Sequence, residues 1–234
     1  MSSQPVTDPA VVKAWLNTAD RVLALVGAGI STDSGIPDFR GPKGLWTLNP
    51  KSERMSDISY YVNDTEVRAL AWQSRLEHPA WTAQPNAGHR ALVELERRGQ
   101  LAAVITQNID GLQQLAGSDP DKVIEVHGTV REVMCLSCDY RAPMQVALDR
   151  VKAGEADPRC TVCGGILKSA TISFGQSLVP AVIDRAFTEA AECDLMLCIG
   201  STLTVYPVAM LPETATSSGA RVVTINGEET AYDT

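Results

Sequence analysis

The sequence predicts an α/β protein in which helices cover both sides of a parallel sheet and a second, smaller lobe is inserted into the sheet domain. Two observations predict the sheet: short runs that are apolar on both faces recur along the chain, and they alternate with helical segments. The lobe is predicted because two stretches interrupt this alternation. The chain has 234 residues, of which 44% are apolar, and this length accommodates one substantial domain with a small insertion.

The elements follow from apolar spacing and end signals. Residues 8 to 19 predict a helix, because four apolar side chains share one face: Val11, Val12, Trp15 and Leu16. The run from Val22 to Val26 predicts a buried strand that ends at Gly27. Asn86 is expected to cap a helix that Gly99 ends. Further strands are predicted at 101 to 106, 123 to 126, 195 to 199 and 222 to 225, and a further helix at 180 to 192.

Two stretches break the alternation. Residues 40 to 80 lack a strong strand signal and are expected to form helices or loops. Residues 130 to 170 contain four cysteines between short strand-like pieces. Together the two stretches are predicted to form the smaller lobe.

Composition and charge exclude several classes of function. Twenty Lys and Arg against 28 Asp and Glu give a net charge of -8, and no basic cluster is long enough to follow a phosphate backbone, so direct nucleic-acid binding is disfavoured. An acidic surface suits lysine-rich partners, although it can equally serve solubility. No run approaches the roughly 20 apolar residues of a membrane helix. The start, Met1 to Pro5, lacks an export signal, so the expected compartment is the cytoplasm.

A glycine-rich turn follows the first predicted strand. Its residues, Gly27 to Ser31, allow the backbone to approach a pyrophosphate, although a simple tight turn explains them equally well. Thr32 stands where the usual dinucleotide fingerprint has a third glycine. The string from Ser34 to Gly41 then joins an acid, an aromatic residue and an arginine in one loop, which is more typical of function than of core packing.

The cysteines predict a metal site. Cys135 and Cys138 form one Cys-x-x-Cys pair, and Cys160 and Cys163 form a second. Four thiolates would fill the coordination shell of zinc and make the metal structural. Disulfides and chance are the alternatives, and disulfides are disfavoured in a cytosolic chain. The remaining two cysteines, Cys193 and Cys198, are interpreted as small buried hydrophobic residues.

Two further segments place polar side chains at strand ends, where open parallel sheets bind ligands. Thr106 to Gly111 follows one strand and can bind ribose hydroxyls, or can form an Asx turn. His127 follows another strand and is a candidate general base, although a lone histidine is more often structural. Its position beside the other candidate segments favours the catalytic interpretation.

In this order, these motifs resemble the sirtuin family, and Phe174-Gly175 and Gly200 to Pro207 extend the match over most of the chain. The resemblance implies a Rossmann-like NAD-binding domain formed by residues 1–40, 81–128 and 170–234. It implies a small lobe formed by a helical module, 41–80, and a zinc-binding module, 129–169. Acyl-lysine proteins or peptides would enter the cleft between the lobes.

The resemblance also implies roles for individual residues. The catalytic residues would be His127, Asn108 and Asp110. NAD-contacting positions match Gly27, Ala28, Gly29, Ser31, Asp38, Phe39, Arg40, Gln107, Asn108, Ile109, Asp110, Gly200, Ser201, Asn226, Gly227 and Glu228. The positions that contact a peptide added as a strand match Ile172, Phe174, Gly175 and Val205. One structural Zn²⁺ would be held by the four paired cysteines.

The implied activity is NAD-dependent removal of acyl groups from protein lysines. NAD is consumed, nicotinamide and O-acyl-ADP-ribose are released, and His127 takes a proton from a ribose hydroxyl. Mono-ADP-ribosyl transfer is the alternative on the same scaffold. A catalytically silent NAD- or acyl-lysine-binding module and a zinc-ribbon nucleic-acid binder are the alternatives from other classes.

The chain departs from the common family pattern near the peptide site. Gln176 replaces the usual acid after Phe-Gly, and Ser169 replaces the usual proline, so the peptide preference is expected to differ. Sirtuins that prefer succinyl- or malonyl-lysine carry a Tyr and an Arg where this chain aligns Ala71 and Ser74. We therefore expect dicarboxylic acyl groups to be poor substrates, because a buried carboxylate would lack a charge-assisted partner. Arg68 and Arg75 are the nearby guanidinium groups that could alter this expectation.

Overall fold

The structure of the protein, a computed structural model, describes residues 8–38 and 52–232. In chain order its strands are β1 (Val22–Val26), β2 (Leu101–Thr106), β3 (Val123–Glu125), β4 (Gly128–Cys135), β5 (Arg141–Pro143), β6 (Leu167–Thr171), β7 (Leu195–Ile199) and β8 (Arg221–Ile225). Its α-helices are α1 (Pro9–Thr18), α2 (Ser52–Met55), α3 (Ile58–Asn63), α4 (Thr65–Leu76), α5 (Ala87–Arg97), α6 (Leu112–Leu115), α7 (Met144–Lys152), α8 (Pro180–Glu192) and α9 (Leu211–Ser217). Short 3-10 helices lie at Ala28–Ser34, Pro79–Trp81, Pro120–Lys122 and Val208–Met210. None of these helices is long and apolar enough to cross a membrane.

The larger sheet is parallel throughout, with the strand order β3-β2-β1-β7-β8. Its central strand, β1, is buried on both faces. Leu23 and Leu25 pack in a cluster with Ala186 of α8 and Leu211 of α9. The alternate residues of β1 pack in a second cluster with α1 and α5. Both faces are therefore covered, as the continuous apolar run predicts.

The strand order defines where a ligand can bind. From β1 the chain proceeds outward on one side to β2 and β3, and later on the other side to β7 and β8. This reversal makes a crevice at the carboxyl ends of β1 and β7, which is the usual ligand site of open parallel sheets. The sequence between Gly27 and Ser31 lies at that crevice, in the short helix that begins at Ala28.

The smaller lobe is built on an antiparallel sheet with the order β5-β4-β6. Its core joins this sheet to helices from two parts of the chain, because Trp72 of α4 packs in the same cluster as Val133, Met144 and Leu167. A buried ion pair also connects α4 to the loop before the second cysteine pair, with Arg68 Nε 2.9 Å from an oxygen of Asp157.

Most predicted elements of the larger sheet are confirmed. The helix over 8 to 19, the strands 22 to 26, 101 to 106 and 195 to 199, and the helix 180 to 192 are present. Asn86 caps α5, and Gly99 follows α5 with a positive φ of 75°. The third strand ends at Glu125 instead of Val126, and β8 begins at Arg221 instead of Val222. Residues 52 to 80 contain helices, as expected.

Helix α7 was not predicted. It lies between the two cysteine pairs, where the sequence analysis identified only strand-like pieces. Its buried residues, Met144, Ala147, Leu148 and Val151, have helical spacing. The signal was therefore present, but it was obscured by the interpretation of the stretch as a cysteine module.

Candidate active site

Three glycines form a tight backbone contact at the crevice. The N–H of Gly29 donates to the carbonyl oxygen of Gly200 at 2.8 Å. A Cβ placed on Gly27 would lie 2.6 Å from that same oxygen, and one on Gly29 would lie 2.7 Å from the Cα of Gly200. Gly200 itself has a φ of 63°. Glycine is required here because the ends of β1 and β7 touch, in addition to any approach to a phosphate.

A buried hydrogen-bond network lies beneath this contact. Ser31 Oγ donates to Asp110 Oδ2 at 2.7 Å, and the backbone N–H of Leu112 donates to Asp110 Oδ1 at 2.8 Å. The amide Nδ2 of Asn108 donates to the carbonyl oxygen of Gly27 at 3.1 Å and to Ser31 Oγ at 3.2 Å. The segments around residues 27–31 and 106–111, far apart in sequence, are thus fixed to each other.

His127 lies at the carboxyl side of β3 with one ring nitrogen occupied. Its Nδ1 is 3.1 Å from the carbonyl oxygen of Gln107. A carbonyl oxygen only accepts, so Nδ1 carries the proton and Nε2 keeps its lone pair. Burial lowers the pKa of His127 below the usual value for histidine, against a smaller opposing effect of the Gln107 bond. The imidazole is therefore neutral near pH 7 and can accept a proton at Nε2.

The side-chain amide of Gln107, the residue whose carbonyl oxygen holds His127, has a donor that is unpaired among the described residues. Its Oε1 is 3.4 Å from Ser201 Oγ, which donates to it, and Ser201 Oγ in turn accepts from the N–H of Leu203 at 3.2 Å. The amide Nε2 of Gln107 is buried and has no hydrogen-bond partner within the described part of the chain. A buried unpaired donor is costly, and an acceptor on a bound ligand would satisfy it.

The segment after β6 is anchored at several points beside His127. The N–H of Ile172 donates to the carbonyl oxygen of His127 at 2.8 Å. The N–H of Phe174 donates to the carbonyl oxygen of Ser56 at 2.8 Å, and the carbonyl oxygen of Phe174 accepts from Ile58 at 3.0 Å. The segment therefore bridges the large sheet and the helices of the small lobe.

One cleft brings most of the sequence-predicted site residues together. The catalytic candidates His127, Asn108 and Asp110 line it with most of the predicted NAD and peptide positions: Ala28, Gly29, Ser31, Asp38, Gln107, Ile109, Ile172, Phe174, Gly175, Gly200, Ser201, Val205, Asn226, Gly227 and Glu228. Gly27 lies behind the cleft in the glycine contact. Phe39 and Arg40 lie outside the described residues.

The four paired cysteines form a compact cluster away from this crevice. Their Sγ atoms lie within 4.8 Å of one another, with 3.5 Å between Cys135 and Cys163 and 3.7 Å between Cys138 and Cys160. A tetrahedron with metal–sulfur distances of about 2.3 Å has sulfur–sulfur edges of about 3.8 Å. The N–H of Gly165 also donates to Cys163 Sγ at 3.4 Å. This donor set could hold a metal ion with four thiolates.

Some residues at the site have no signal in the sequence. Arg131 Nε donates to the backbone oxygen of Asp110 at 3.0 Å, and its Nη2 donates to the carbonyl oxygen of Ala80 at 2.8 Å. Asn86, predicted only as a helix cap, also donates to the carbonyl oxygen of Ile30 at 2.7 Å. Each contact joins segments that the sequence separates widely, so only the folded structure identifies it.

Comparison with known proteins gives a consistent result. The model of the Sir2 family matches residues 27–207. The NAD-dependent protein deacetylase 2 of Streptomyces coelicolor is 48% identical over 212 residues, which cover 91% of this chain and 88% of the relative. The NAD-dependent protein deacetylase of Thermodesulfovibrio yellowstonii is 42% identical over 215 residues, which cover 90% of this chain and 81% of the relative.

Solved structures agree with these relatives. Sir2 with a p53 peptide and NAD+ superposes with a TM-score of 0.86 at 35% identity, covering 97% of this chain and 90% of that one. Sir2Tm bound to a propionylated peptide superposes with a TM-score of 0.85 at 34% identity, covering 96% of this chain and 88% of that one. The chain is therefore a member of the Sir2 family, the sirtuins, with a Rossmann-like parallel sheet and a cysteine-bearing smaller lobe.

Proposed function

We propose that this chain is an NAD-dependent protein-lysine deacylase that releases nicotinamide and O-acyl-ADP-ribose. The observation that carries the proposal is the neutral imidazole of His127, whose Nε2 lone pair is available in the same cleft as the Asn108 and Asp110 network. The names of the relatives, which are NAD-dependent protein deacetylases, support the same activity.

NAD would supply the electrophilic ribose carbon and the nicotinamide leaving group. Ser31, Asn108 and Asp110 would orient the nicotinamide end, since their hydrogen bonds already fix them to one another. The unpaired amide of Gln107 fits an acceptor on the dinucleotide. The remaining proposed contacts are Gly27, Ala28, Gly29, Asp38, Phe39, Arg40, Ile109, Gly200, Ser201, Asn226, Gly227 and Glu228.

His127 would act after nicotinamide has left. The acyl oxygen of the bound lysine would attack the ribose carbon as nicotinamide leaves. Nε2 of His127 would then take the proton of a ribose hydroxyl, that hydroxyl would attack the acyl carbon, and addition of water would release the lysine amine and O-acyl-ADP-ribose. The cleft must exclude water while the ribose carbon is electron-deficient. The Gln107 carbonyl oxygen would stabilise the protonated imidazole, because it keeps accepting from Nδ1.

The acylated peptide would lie between Ile172, Phe174 and Gly175 on one side and Val205 on the other. This assignment is supported by the anchored segment 172–175, which lines the cleft beside His127. A peptide that adds as a strand uses its backbone for affinity and its side chains for specificity.

A structural zinc is proposed for Cys135, Cys138, Cys160 and Cys163. The proposal is supported by sulfur–sulfur distances that match a zinc tetrahedron. Four thiolates leave no position for a reactive water, so the metal takes no part in the chemistry. The cytoplasm is the compartment that we propose, because zinc binding requires these thiols to stay reduced.

One assay tests the activity. The protein is incubated with NAD and an acetyl-lysine peptide, and the products are identified by mass, with the unacetylated peptide as the matched control. We expect equal amounts of nicotinamide, deacetylated peptide and O-acetyl-ADP-ribose. Nicotinamide accompanied by ADP-ribosylated protein would instead establish mono-ADP-ribosyl transfer. The absence of nicotinamide would leave a binding module, and the proposed function would be wrong.

A further inference from the structure

Lys168 is fully buried in the small sheet although its side chain ends in an amine. It is 1% exposed. Its Nζ donates to the carbonyl oxygen of Thr171 at 2.5 Å, to Thr171 Oγ1 at 3.3 Å and to the carbonyl oxygen of Ser169 at 3.3 Å. These three acceptors match the three protons of an ammonium group. The side chain thus binds two of the last three residues of β6, Ser169 and Thr171, and fixes the end of this strand.

This amine has no counter-charge among the described residues, where all its hydrogen-bond partners are uncharged oxygens. The guanidinium that acts on it, Arg75, has the same sign. Burial, and to a smaller extent Arg75, lowers the pKa of Lys168 to about 7. Replacing a buried charge by an apolar side chain of similar size often leaves stability unchanged or raises it. Stability alone therefore does not explain the position of this amine.

Two hydroxyl groups add a further contact at the end of β6. Ser169 Oγ and Thr171 Oγ1 lie 2.9 Å apart, within hydrogen-bond distance. Ser169 stands where the common family pattern has proline. Proline would restrict the backbone but would offer no hydroxyl. In this chain the conformation is instead held by hydrogen bonds that converge on Thr171.

The end of β6 leads directly into the segment beside His127. Thr171 pairs with Gly128 at the start of β4, and a Cβ placed on Gly128 would lie 2.1 Å from the carbonyl oxygen of Ala170. The next residue, Ile172, donates its N–H to the carbonyl oxygen of His127 at 2.8 Å. A shift of the end of β6 would therefore move both the segment 172–175 and the backbone of His127.

We propose that Lys168 is a positioning residue for the acylated peptide. Its amine fixes Thr171 and Ser169 so that residues 172–175 present a rigid edge to the peptide strand. The inference rests on the proposed function, because it concerns the peptide of that reaction. Lys168 acts through the backbone of this segment and does not itself contact the substrate.

The test compares Lys168→Met with Lys152→Met, which removes an exposed lysine of α7. We expect Lys168→Met to raise the KM for the acetylated peptide about tenfold or more, the effect of losing a hydrogen bond to a charged group. The KM for NAD should stay the same, and the melting temperature should be unchanged or higher. Lys152→Met should match the wild type in all three. A purely structural lysine would instead lower the melting temperature without a selective change in peptide KM.

A second pair of variants keeps the test decisive if Lys168→Met does not fold. Thr171→Ser retains the hydroxyl, whereas Thr171→Val removes it with little change in shape. We expect the serine variant to keep the wild-type peptide KM and the valine variant to raise it. Equal peptide KM in the two Thr171 variants would overturn the inference.

Hydrogen exchange separates this inference from the proposed function. Amide protection of residues 172–174 should fall in the Lys168→Met and Thr171→Val variants, whether or not the protein deacylates peptides. If the wild type has no activity but the exchange difference is present, the proposed function fails and the positioning role stands. Unchanged protection in both variants would show that Lys168 does not fix the segment.

Discussion

The chemistry of His127 depends on a single backbone oxygen. Because Gln107 accepts from Nδ1, the ring presents Nε2 as its basic atom, and because the ring is half-buried, it stays neutral at physiological pH. Without this acceptor nothing would fix the proton on Nδ1, and the lone pair proposed to act as the base would no longer be held at Nε2. The position of His127 after a strand was readable from the sequence, but its tautomer was not.

Replacement of His127 by alanine tests its proposed role. We expect His127→Ala to lower turnover by roughly 100-fold or more, the usual contribution of a general base. NAD binding, measured by calorimetry, should remain, because the ring acts only after nicotinamide has left. Near-normal deacylation by the variant would mean that another group accepts the proton.

The pH profile gives an independent test of the same residue. Burial lowers the pKa of His127, so the acid limb of the pH–rate profile should lie below the ordinary histidine value of 6.5. Activity requires the neutral ring. The rate should therefore fall as the pH drops through that lowered pKa, and it should level off above it until other groups titrate. The kcat/KM of the wild type measured from pH 5 to 8 reveals this limb, which should be absent from His127→Ala.

Helix α4 has two faces with different partners. Ala71 and Ser74 line the cleft, whereas Trp72 is buried in the core of the small lobe. Arg68 is held away from the cleft by Asp157 and by the carbonyl oxygens of residues 61 and 62. Arg75 reaches the cleft wall, with its guanidinium carbon 4.9 Å from the ring centre of Trp72 and 5.2 Å from that of Tyr61.

The residues of α4 that line the cleft lead to a prediction about which acyl group the protein removes from lysine. Acetyl-lysine should be preferred to succinyl-lysine, because neither Ala71 nor Ser74 carries a positive charge that could pair with a buried carboxylate. Acetyl-, butyryl- and succinyl-lysine versions of one peptide are compared by specificity constant at equal NAD, with Arg75→Met as the matched variant. If succinyl-lysine gives the highest value and Arg75→Met abolishes that advantage, Arg75 binds the carboxylate and the prediction is wrong.

Most strands and helices of the large-sheet domain could be predicted from the sequence, but fewer elements of the small lobe could. Strands such as β1 and β7 are continuous apolar runs, so their burial on both faces was predictable. The antiparallel pairing of β4 with β6 was not, because it joins segments on either side of the cysteine module and depends on long-range register. The hydrogen bonds by which Lys168 fixes the end of β6 were equally unpredictable, since its partners are mainly backbone oxygens.

The small lobe is united by one core that includes two of the proposed metal ligands. Cys135 and Cys160 pack in the same apolar cluster as Trp72 and Leu148. Loss of the metal would therefore affect the helices beside the cleft as well as the cysteine loops, because the cluster gives both a shared support.

Cys135→Ser tests this arrangement for the whole molecule. Zinc content and melting temperature should fall together, because metal-binding energy is folding energy in such modules. The matched control is Cys193→Ser, which changes a buried cysteine outside the cluster and should keep the zinc. A metal-free Cys135→Ser variant with unchanged melting temperature would contradict a structural role for the metal.

The contact of Gly27 and Gly29 with Gly200 has a consequence for biosynthesis. β1 leaves the ribosome before β7. One edge of the apolar strand β1 therefore remains unpaired until residues 195–199 have emerged. An unpaired apolar edge is a site for misassociation with other chains. The nucleotide crevice also cannot take its final shape before then, because half of its glycine contact is still missing. Translation must thus pass Gly200 before the newborn protein can gain stability from its dinucleotide.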